Sequence, residues 1–253
     1  MDKQELNVKG YTIEEDIFSP AEIQAIIAVI DEAGNLAANT NPAYRRTGDL
    51  FAIRRFLQSV PGIQPLIFTP VLNALIKDAF GPGYRPVRSI YFDKPPGSNW
   101  FVAWHQDLTI SVDRKLPLPG FGQWTVKGDH FAVQPPLSIL EGIYTIRIHL
   151  DDTDEFNGAL RVLPGSHLNG IEPYHPGTSD PAGPGPAMTT SVETICRVAS
   201  GGIMIMRPLL QHASGRSSTG KRRRVIHNEF SNAELPAGLD WAERLCSLPM
   251  LAE

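Results

Sequence analysis

Hydrophobic positions along this chain follow two different periods. Near the N-terminus they recur every three or four residues, and beyond residue 86 they alternate in short runs. Ser19-Pro20-Ala21-Glu22 has a capping-box pattern with proline at the first helical position, and Ile23, Ile26, Ile27 and Ile30 follow on one helical face. This predicts a helix over 20–33, ended by Gly34. Val71, Leu72, Leu75, Ile76 and Phe80 predict a second over 69–80, stopped by Gly81-Pro82-Gly83. Both helices are expected to cover a sheet.

From residue 86 the pattern predicts strands over 87–93, 101–107, 141–150, 159–163, 191–198, 203–207 and 222–230, punctuated by Gly and Pro. The fold class read from this order is mainly β with flanking helices, a sandwich or jelly roll in place of an alternating βαβ fold. Two stretches interrupt the strands. Residues 113–138 hold Pro117, Pro119, Gly120, Gly122, Pro135 and Pro136 and are long enough for a lid. Residues 171–187 are richer still in Pro and Gly and are expected to run over the surface.

A chain of 253 residues with 42% hydrophobic content can bury a substantial core and shows no internal repeat. We read it as a single domain over 1–253, with a helical N-terminal cover over 1–85 and a β core over 86–230. The net charge of −4 gives no basic excess, which argues against a nucleic-acid binder, and Lys221-Arg222-Arg223-Arg224 reads as a solvated turn feeding a strand. No apolar run approaches the roughly 20 residues of a membrane span, and the N-terminus lacks a signal-peptide apolar region. A soluble, cytoplasmic protein is expected. Cys196 and Cys246 lie in no metal-binding spacing and read as reduced packing residues.

The candidate chemistry lies in His105-Gln106-Asp107. In an extended strand His105 and Asp107 point the same way and Gln106 points away, so an imidazole and a carboxylate converge. Such a pair alone recurs by chance. His212, after the strand ending in Ile203-Met204-Ile205-Met206-Arg207, is the best-placed histidine to complete a two-histidine, one-carboxylate triad that leaves positions on Fe(II) open. Eleven residues on, Arg223 shares a strand face with Val225 and His227. Its guanidinium can take a carboxylate through two parallel hydrogen bonds, which suits the far end of a 2-oxo acid cosubstrate. Alternation puts Arg222 and Arg224 on the other face, a choice that a bulge would reverse.

The segments Lys94-Pro95-Pro96-Gly97, Trp104-His105-Gln106-Asp107, Asn157-Gly158-Ala159-Leu160, Leu163-Pro164-Gly165-Ser166-His167, His212-Ala213-Ser214 and Arg223-Arg224-Val225 occur in this order. Over about residues 85–230 the chain thereby resembles the phytanoyl-CoA dioxygenase-like family of Fe(II)/2-oxoglutarate oxygenases. The resemblance implies a double-stranded β-helix of cupin-like type, with Fe(II) on His105, Asp107 and His212. It implies 2-oxoglutarate chelating iron through its 2-oxo acid end, its distal carboxylate on Arg223 helped by Ser214, and O₂ as the second cosubstrate. Lys94 stands where some members carry a lysine before the W-H-x-D motif; it is a cosubstrate candidate or a surface charge before a turn. The turn containing His167 is structural in the family, so His167 is not assigned to metal. Asn157-Gly158 reads as a tight turn. A carboxylate at position 107 argues for hydroxylation or another oxygen-derived oxidation over halogenation, because related halogenases carry a small residue there.

Substrate contacts are thinner in the sequence. Thr145, Arg147 and His149 share one face of a strand, opposite Ile146, Ile148 and Leu150, so a polar face is expected either to line the interior or to meet solvent with Arg147 paired to Asp151. Arg147, Thr145 and the lid residue Trp124 are the substrate-binding candidates, with Phe121 beside them. Trp100 and Trp104 are expected to pack, and His130 to be solvated. The leading expectation is hydroxylation of a small polar or carboxylated metabolite with release of succinate and CO₂. Two competitors are a cupin-like metal-binding or sensory protein without turnover, and a zinc hydrolase, for which no additional general base is evident. Nothing in the sequence specifies an oligomeric state.

Overall fold

The computed structural model describes residues 1–37, 44–47, 50–96, 100–172 and 192–243. The helices are α1 (Lys3–Lys9), α2 (Pro20–Ala37), α3 (Phe56–Ser59), α4 (Ile63–Ile67), α5 (Pro70–Phe80) and α6 (Leu137–Glu141). The strands are β1 (Tyr11–Glu14), β2 (Tyr44–Thr47), β3 (Leu50–Arg54), β4 (Arg85–Lys94), β5 (Val102–His105), β6 (Ile110–Val112) and β7 (Gly122–Lys127). They continue as β8 (His130–Gln134), β9 (Tyr144–His149), β10 (Leu160–Val162), β11 (Thr194–Cys196), β12 (Ile203–Met206), β13 (His212–Ser214) and β14 (Arg223–Ser231).

The capping box forms as the sequence predicts. The Ser19 hydroxyl and backbone N–H donate to the Glu22 carboxylate, and the Glu22 N–H donates back to Ser19 Oγ. Helix α2 runs through Gly34 to Ala37 and does not stop there, since one glycine costs a helix only about 1 kcal/mol. In α5, Thr69 caps the first turn by accepting from Leu72 N–H.

Seven strands form one antiparallel sheet in the order β1-β12-β9-β14-β4-β3-β2, and four form a second in the order β11-β10-β13-β5. The two sheets make the jelly roll. Alternation along each strand of the large sheet assigns one set of side chains to an outer layer and the other to the interior. On β12, Ile203 and Ile205 join the apolar cluster formed with Ile26, Phe56, Ile63, Leu72 and Phe230, while Met204 and Met206 pack inward with Leu160, Val162 and Leu210. On β9, Ile146 and Ile148 join the helical layer, which turns Arg147 and His149 inward. Cys196 is buried in the inner cluster, as its packing role requires; Cys246 lies outside the described residues.

Several expectations need correction. The first 85 residues are more than a helical cover, because β1, β2 and β3 all join the large sheet. Strand β5 stops at His105, short of Asp107, and residues 137–141 form a helical turn before β9. Within 113–138, β7 and β8 form a hairpin that pairs with β6 in a third sheet. The Pro/Gly-rich stretch 171–187 lies almost wholly outside the described residues. Near the end of the described chain, Trp241 bridges to Val112, and buried Glu243 accepts from the Ser89 hydroxyl. No helix among the described residues is long and apolar enough to cross a membrane.

Candidate active site

Between the two sheets lies an open cavity, lined by Phe92, Trp100, Val102, His105, Asp107, Arg147, Leu160, His212, Ser214, Arg223 and His227. His105 and His212 are direct cross-strand partners of β5 and β13, with a register shift immediately after the pair. Their ring centroids are 4.1 Å apart. Asp107 reaches them from just beyond β5, where its N–H donates to the Pro208 carbonyl at 2.8 Å. Its carboxylate oxygens stand 3.7 Å from His105 Nε2 and 3.8 Å from His212 Nε2. One ligand atom from each of the three residues falls within 4.8 Å of the others.

The tautomer of each histidine follows from its backbone contact. His105 Nδ1 lies 2.8 Å from the Ala103 carbonyl, and His212 Nδ1 lies 2.8 Å from the Leu210 carbonyl. A carbonyl only accepts, so Nδ1 donates in both rings and Nε2 is the atom turned toward Asp107. Burial, and then His105, push the His212 imidazole below its usual range. Burial alone would raise the Asp107 carboxyl, but the surrounding groups, Arg88 among them, outweigh it and hold the group below the usual carboxylate range. Two oriented imidazoles with one carboxylate fit a divalent metal and leave one side of it open. Gln106, between the ligands in sequence, points away and donates to the Gly170 and Leu209 carbonyls.

Along the same wall lies an anion-binding arrangement. Arg223 on β14 is the direct cross-strand partner of Lys94 on β4. Arg223 is 4% exposed and Lys94 is 0% exposed. Arg223 Nη1 donates to the Gly158 carbonyl and to Ser214 Oγ, whereas its Nε has no hydrogen-bond partner among the described residues. Lys94 Nζ donates to the Gly215 carbonyl at 2.5 Å, with the Trp100 ring 5.6 Å away. Burial, and then Arg223 and Arg216, lower the Lys94 ammonium to about 7. Gly158 takes φ +87°, and a Cβ there would stand 2.8 Å from both Lys94 Nζ and the Gly215 carbonyl. Two buried cations, an orphaned guanidine N–H and a cradle that a methyl group would fill suit a carboxylate. Arg222 and Arg224 lie on the other face, where they pair bidentately with Asp93 and Asp151.

Of the substrate candidates, Arg147 lines the cavity. Thr145 shares its strand face but is fully buried away from the cavity, opposite Met206 and Glu229. Trp124 is packed with Phe121, Phe131 and Leu116 against Ile110 and Val133, so it serves the third sheet and does not face the site. Trp104 packs as expected, whereas Trp100 lines the cavity. His130 borders a separate small pocket with Arg55 and Glu243, and His167 is buried against the Asn7 carbonyl, far in sequence and contact from the metal cluster. Phe92, Val102 and Leu160 complete the apolar part of the wall. Their presence follows from barrel closure and has no local signal in the sequence; His227 lies on the strand face it shares with Arg223, as alternation along β14 predicts.

A sequence model of the phytanoyl-CoA dioxygenase (PhyH) family matches residues 6–225. No curated protein matches the chain. Among solved structures, the chain is similar to the epimerase SnoN in complex with Fe³⁺, α-ketoglutarate and a nogalamycin compound, with 16% identity, a TM-score of 0.66, and coverage of 98% of this chain and 88% of that one. It is similar to the α-ketoglutarate-dependent carbocyclase SnoK from nogalamycin biosynthesis, with 16% identity, a TM-score of 0.65, and coverage of 90% and 82%. It also resembles HygX from Streptomyces hygroscopicus with nickel and 2-oxoglutarate bound, with 14% identity, a TM-score of 0.62, and coverage of 91% and 87%. At these identities the likeness is one of fold.

Proposed function

This chain belongs to the phytanoyl-CoA dioxygenase family, and from that premise we propose that it is a Fe(II)/2-oxoglutarate-dependent oxygenase that oxidises a C–H bond of a small polar or carboxylated metabolite. The observation that carries the reading is one cavity lined by both parts of the site: the His105, Asp107 and His212 ligand atoms, and the buried Arg223, which has Lys94 as its cross-strand partner. His105, Asp107 and His212 would hold Fe(II). Arg223, Ser214 and Lys94 would hold the distal carboxylate of 2-oxoglutarate. Bound there, the metal and its cosubstrate supply O₂ activation, with succinate and CO₂ released as the substrate is oxidised.

The chain's own residues then have defined work. The Ala103 and Leu210 carbonyls orient the two imidazoles, so the ligand set is organised before a metal arrives. Gly158 and Gly215 offer backbone carbonyls that fix the cationic heads of Arg223 and Lys94. Phe92, Val102 and Leu160 make part of the cavity wall apolar, which limits water around the reacting bond. Asp107 occupies the third ligand position, which supports hydroxylation or a related oxygen-derived oxidation over halogenation. The epimerase and carbocyclase activities named for SnoN and SnoK keep desaturation-like and ring-forming outcomes within the same reading. A single catalytic domain in the cytoplasm is the setting we propose.

Anaerobic titration of the metal-free protein with Fe(II) and 2-oxoglutarate tests this reading. A weak visible charge-transfer band is expected in the native protein, and Arg223→Ala should need far more 2-oxoglutarate to develop it. Protein that binds iron yet gives no band would refute the proposal.

A further inference from the structure

A second guanidinium in the cavity is left over once iron and 2-oxoglutarate are assigned. Arg147 is 7% exposed, lines the cavity, and has no carboxylate partner among the described residues. Asp151, the nearest carboxylate in sequence, is engaged instead by both the backbone and the guanidinium of Arg224. Arg147 Nε is buried without a hydrogen-bond partner. Its Nη1 lies 3.1 Å from His227 Nδ1, which must accept because a guanidinium only donates. His227 Nε2 therefore carries the proton, and it stands 3.3 Å from Glu229 Oε1. The same oxygen accepts from Arg88 at 3.0 Å, and Arg88 also donates to the Thr109 carbonyl. The series Arg147, His227, Glu229, Arg88 thus spends its only carboxylate on Arg88 and His227, and leaves Arg147 facing the cavity with the metal-ligand candidate Asp107 as the carboxylate acting on it.

Resting on the oxygenase reading above, we propose that Arg147 binds an acidic group of the substrate, a carboxylate or an anion of similar charge, and that His227 is a positioning residue which holds the guanidinium for it. Register places the two arginines at different points of the ladder: Arg147 pairs with His227, four residues along β14 from Arg223, or roughly 13 Å between backbone positions. Their guanidiniums still act on one another, and burial and then Arg147 lower Arg223, so the cosubstrate requirement of an Arg147 variant is what separates the two roles. Charge favours an acidic substrate. Asp107 and a 2-oxoglutarate dianion carry three negative charges, whereas Fe(II), Arg223 and Arg147 carry four positive ones before Lys94 is counted. A neutral substrate would leave buried positive charge uncompensated, which is costly.

Acetate and its neutral analogue acetamide are the probes, titrated anaerobically into the Fe(II)- and 2-oxoglutarate-loaded protein while the charge-transfer band is followed. Acetate is expected to perturb the band saturably and acetamide to have no effect at the same concentrations. Arg147→Met should raise the acetate concentration needed at least tenfold while shifting the 2-oxoglutarate requirement less than threefold. His227→Leu should weaken acetate several-fold, and His227→Gln, whose amide can accept from Arg147 and donate to Glu229, should restore most of it. Equal responses to acetate and acetamide would overturn the proposal, as would an unchanged acetate response in Arg147→Met. A large rise in the 2-oxoglutarate requirement of Arg147→Met would assign Arg147 to the cosubstrate instead. Absence of the band in the native protein is a separate result, which would withdraw the oxygenase reading and this inference with it.

Discussion

Lys94 and Arg223 face one another across the β4–β14 ladder, two buried cations in a single cross-strand pair. Like charges directly opposite destabilise a sheet, so the pair gains its value when an anion joins it. Lys94 makes that dependence measurable. In the free protein its ammonium is lowered to about 7, and a bound carboxylate favours the charged form. Binding above pH 7 must therefore recover a proton. The affinity for 2-oxoglutarate, read from the charge-transfer band, is expected to be flat below pH 7 and to weaken by up to tenfold per unit just above it. Lys94→Met should bind more weakly at pH 6.5 and lose the slope. A native profile flat from pH 6.5 to 8.5 would contradict this role.

Gly158 tests the cradle. Its φ of +87° strains any other L-residue, and a methyl group there would meet Lys94 Nζ and the Gly215 carbonyl. Gly158→Ala is expected to lower stability by about 1–2 kcal/mol and to weaken 2-oxoglutarate at least tenfold, with divalent-metal affinity unchanged. Calorimetry with Ni(II) and then 2-oxoglutarate separates the two effects; equal losses for both ligands would indicate general collapse of the site.

Three consecutive arginines should behave in two distinct ways. Arg223→Ala is expected to raise the 2-oxoglutarate requirement steeply. Arg222→Ala should change stability by less than about 1 kcal/mol, because that pair with Asp93 is partly in solvent. Arg224→Ala removes a better-shielded pair with Asp151 and should lower the unfolding temperature without altering 2-oxoglutarate affinity. A binding defect in Arg222→Ala or Arg224→Ala comparable to that of Arg223→Ala would break the face assignment.

Glu243 carries a stability signature. Burial raises its carboxyl from the ordinary 4.5 to about 7, against the opposing hydrogen bonds from Ser89. Between those two values the unfolded chain releases the proton while the folded chain keeps it. Stability should consequently fall as pH rises through that window, by on the order of 3 kcal/mol from this one group. Glu243→Gln keeps the neutral form's hydrogen bond and should remove that component. Urea unfolding of both proteins at pH 5 and pH 7.5 gives the comparison, and parallel losses in the two would rule it out.

The sequence made the site more legible than the barrel around it. Arg223 is separable from Arg222 and Arg224 because strand alternation is local, and β14 is regular from Arg223 to Glu229, with Arg222 immediately before it. His105 and Asp107 were paired by the same argument, yet β5 ends at His105 and Asp107 is placed by its backbone bond to Pro208. The residues meet as expected for a different local reason. Hairpin β7–β8 escaped notice because Gln123 takes a positive φ of 51° and a register shift follows, which breaks the alternation. Trp100 and Trp124 exchange their expected roles because each lies a few residues beyond a glycine, Gly97 and Gly122, where no local pattern orients the ring, and only tertiary packing decides which one meets the cavity. The N-terminal strands were hidden by brevity: β1 has four residues, and its pairing partner β12 lies far along the chain.

The direct pairing of His105 with His212 has a mechanical consequence. An ion gripped by both side chains would tie two chain points together across roughly a hundred residues, the span over which a covalent bridge gives several kcal/mol by restricting the unfolded chain. Loading the metal would then act as a reversible staple on the small sheet. Chelation should loosen β5 and β13 together, as amide hydrogen exchange would register, before it disturbs the helical layer on the far side.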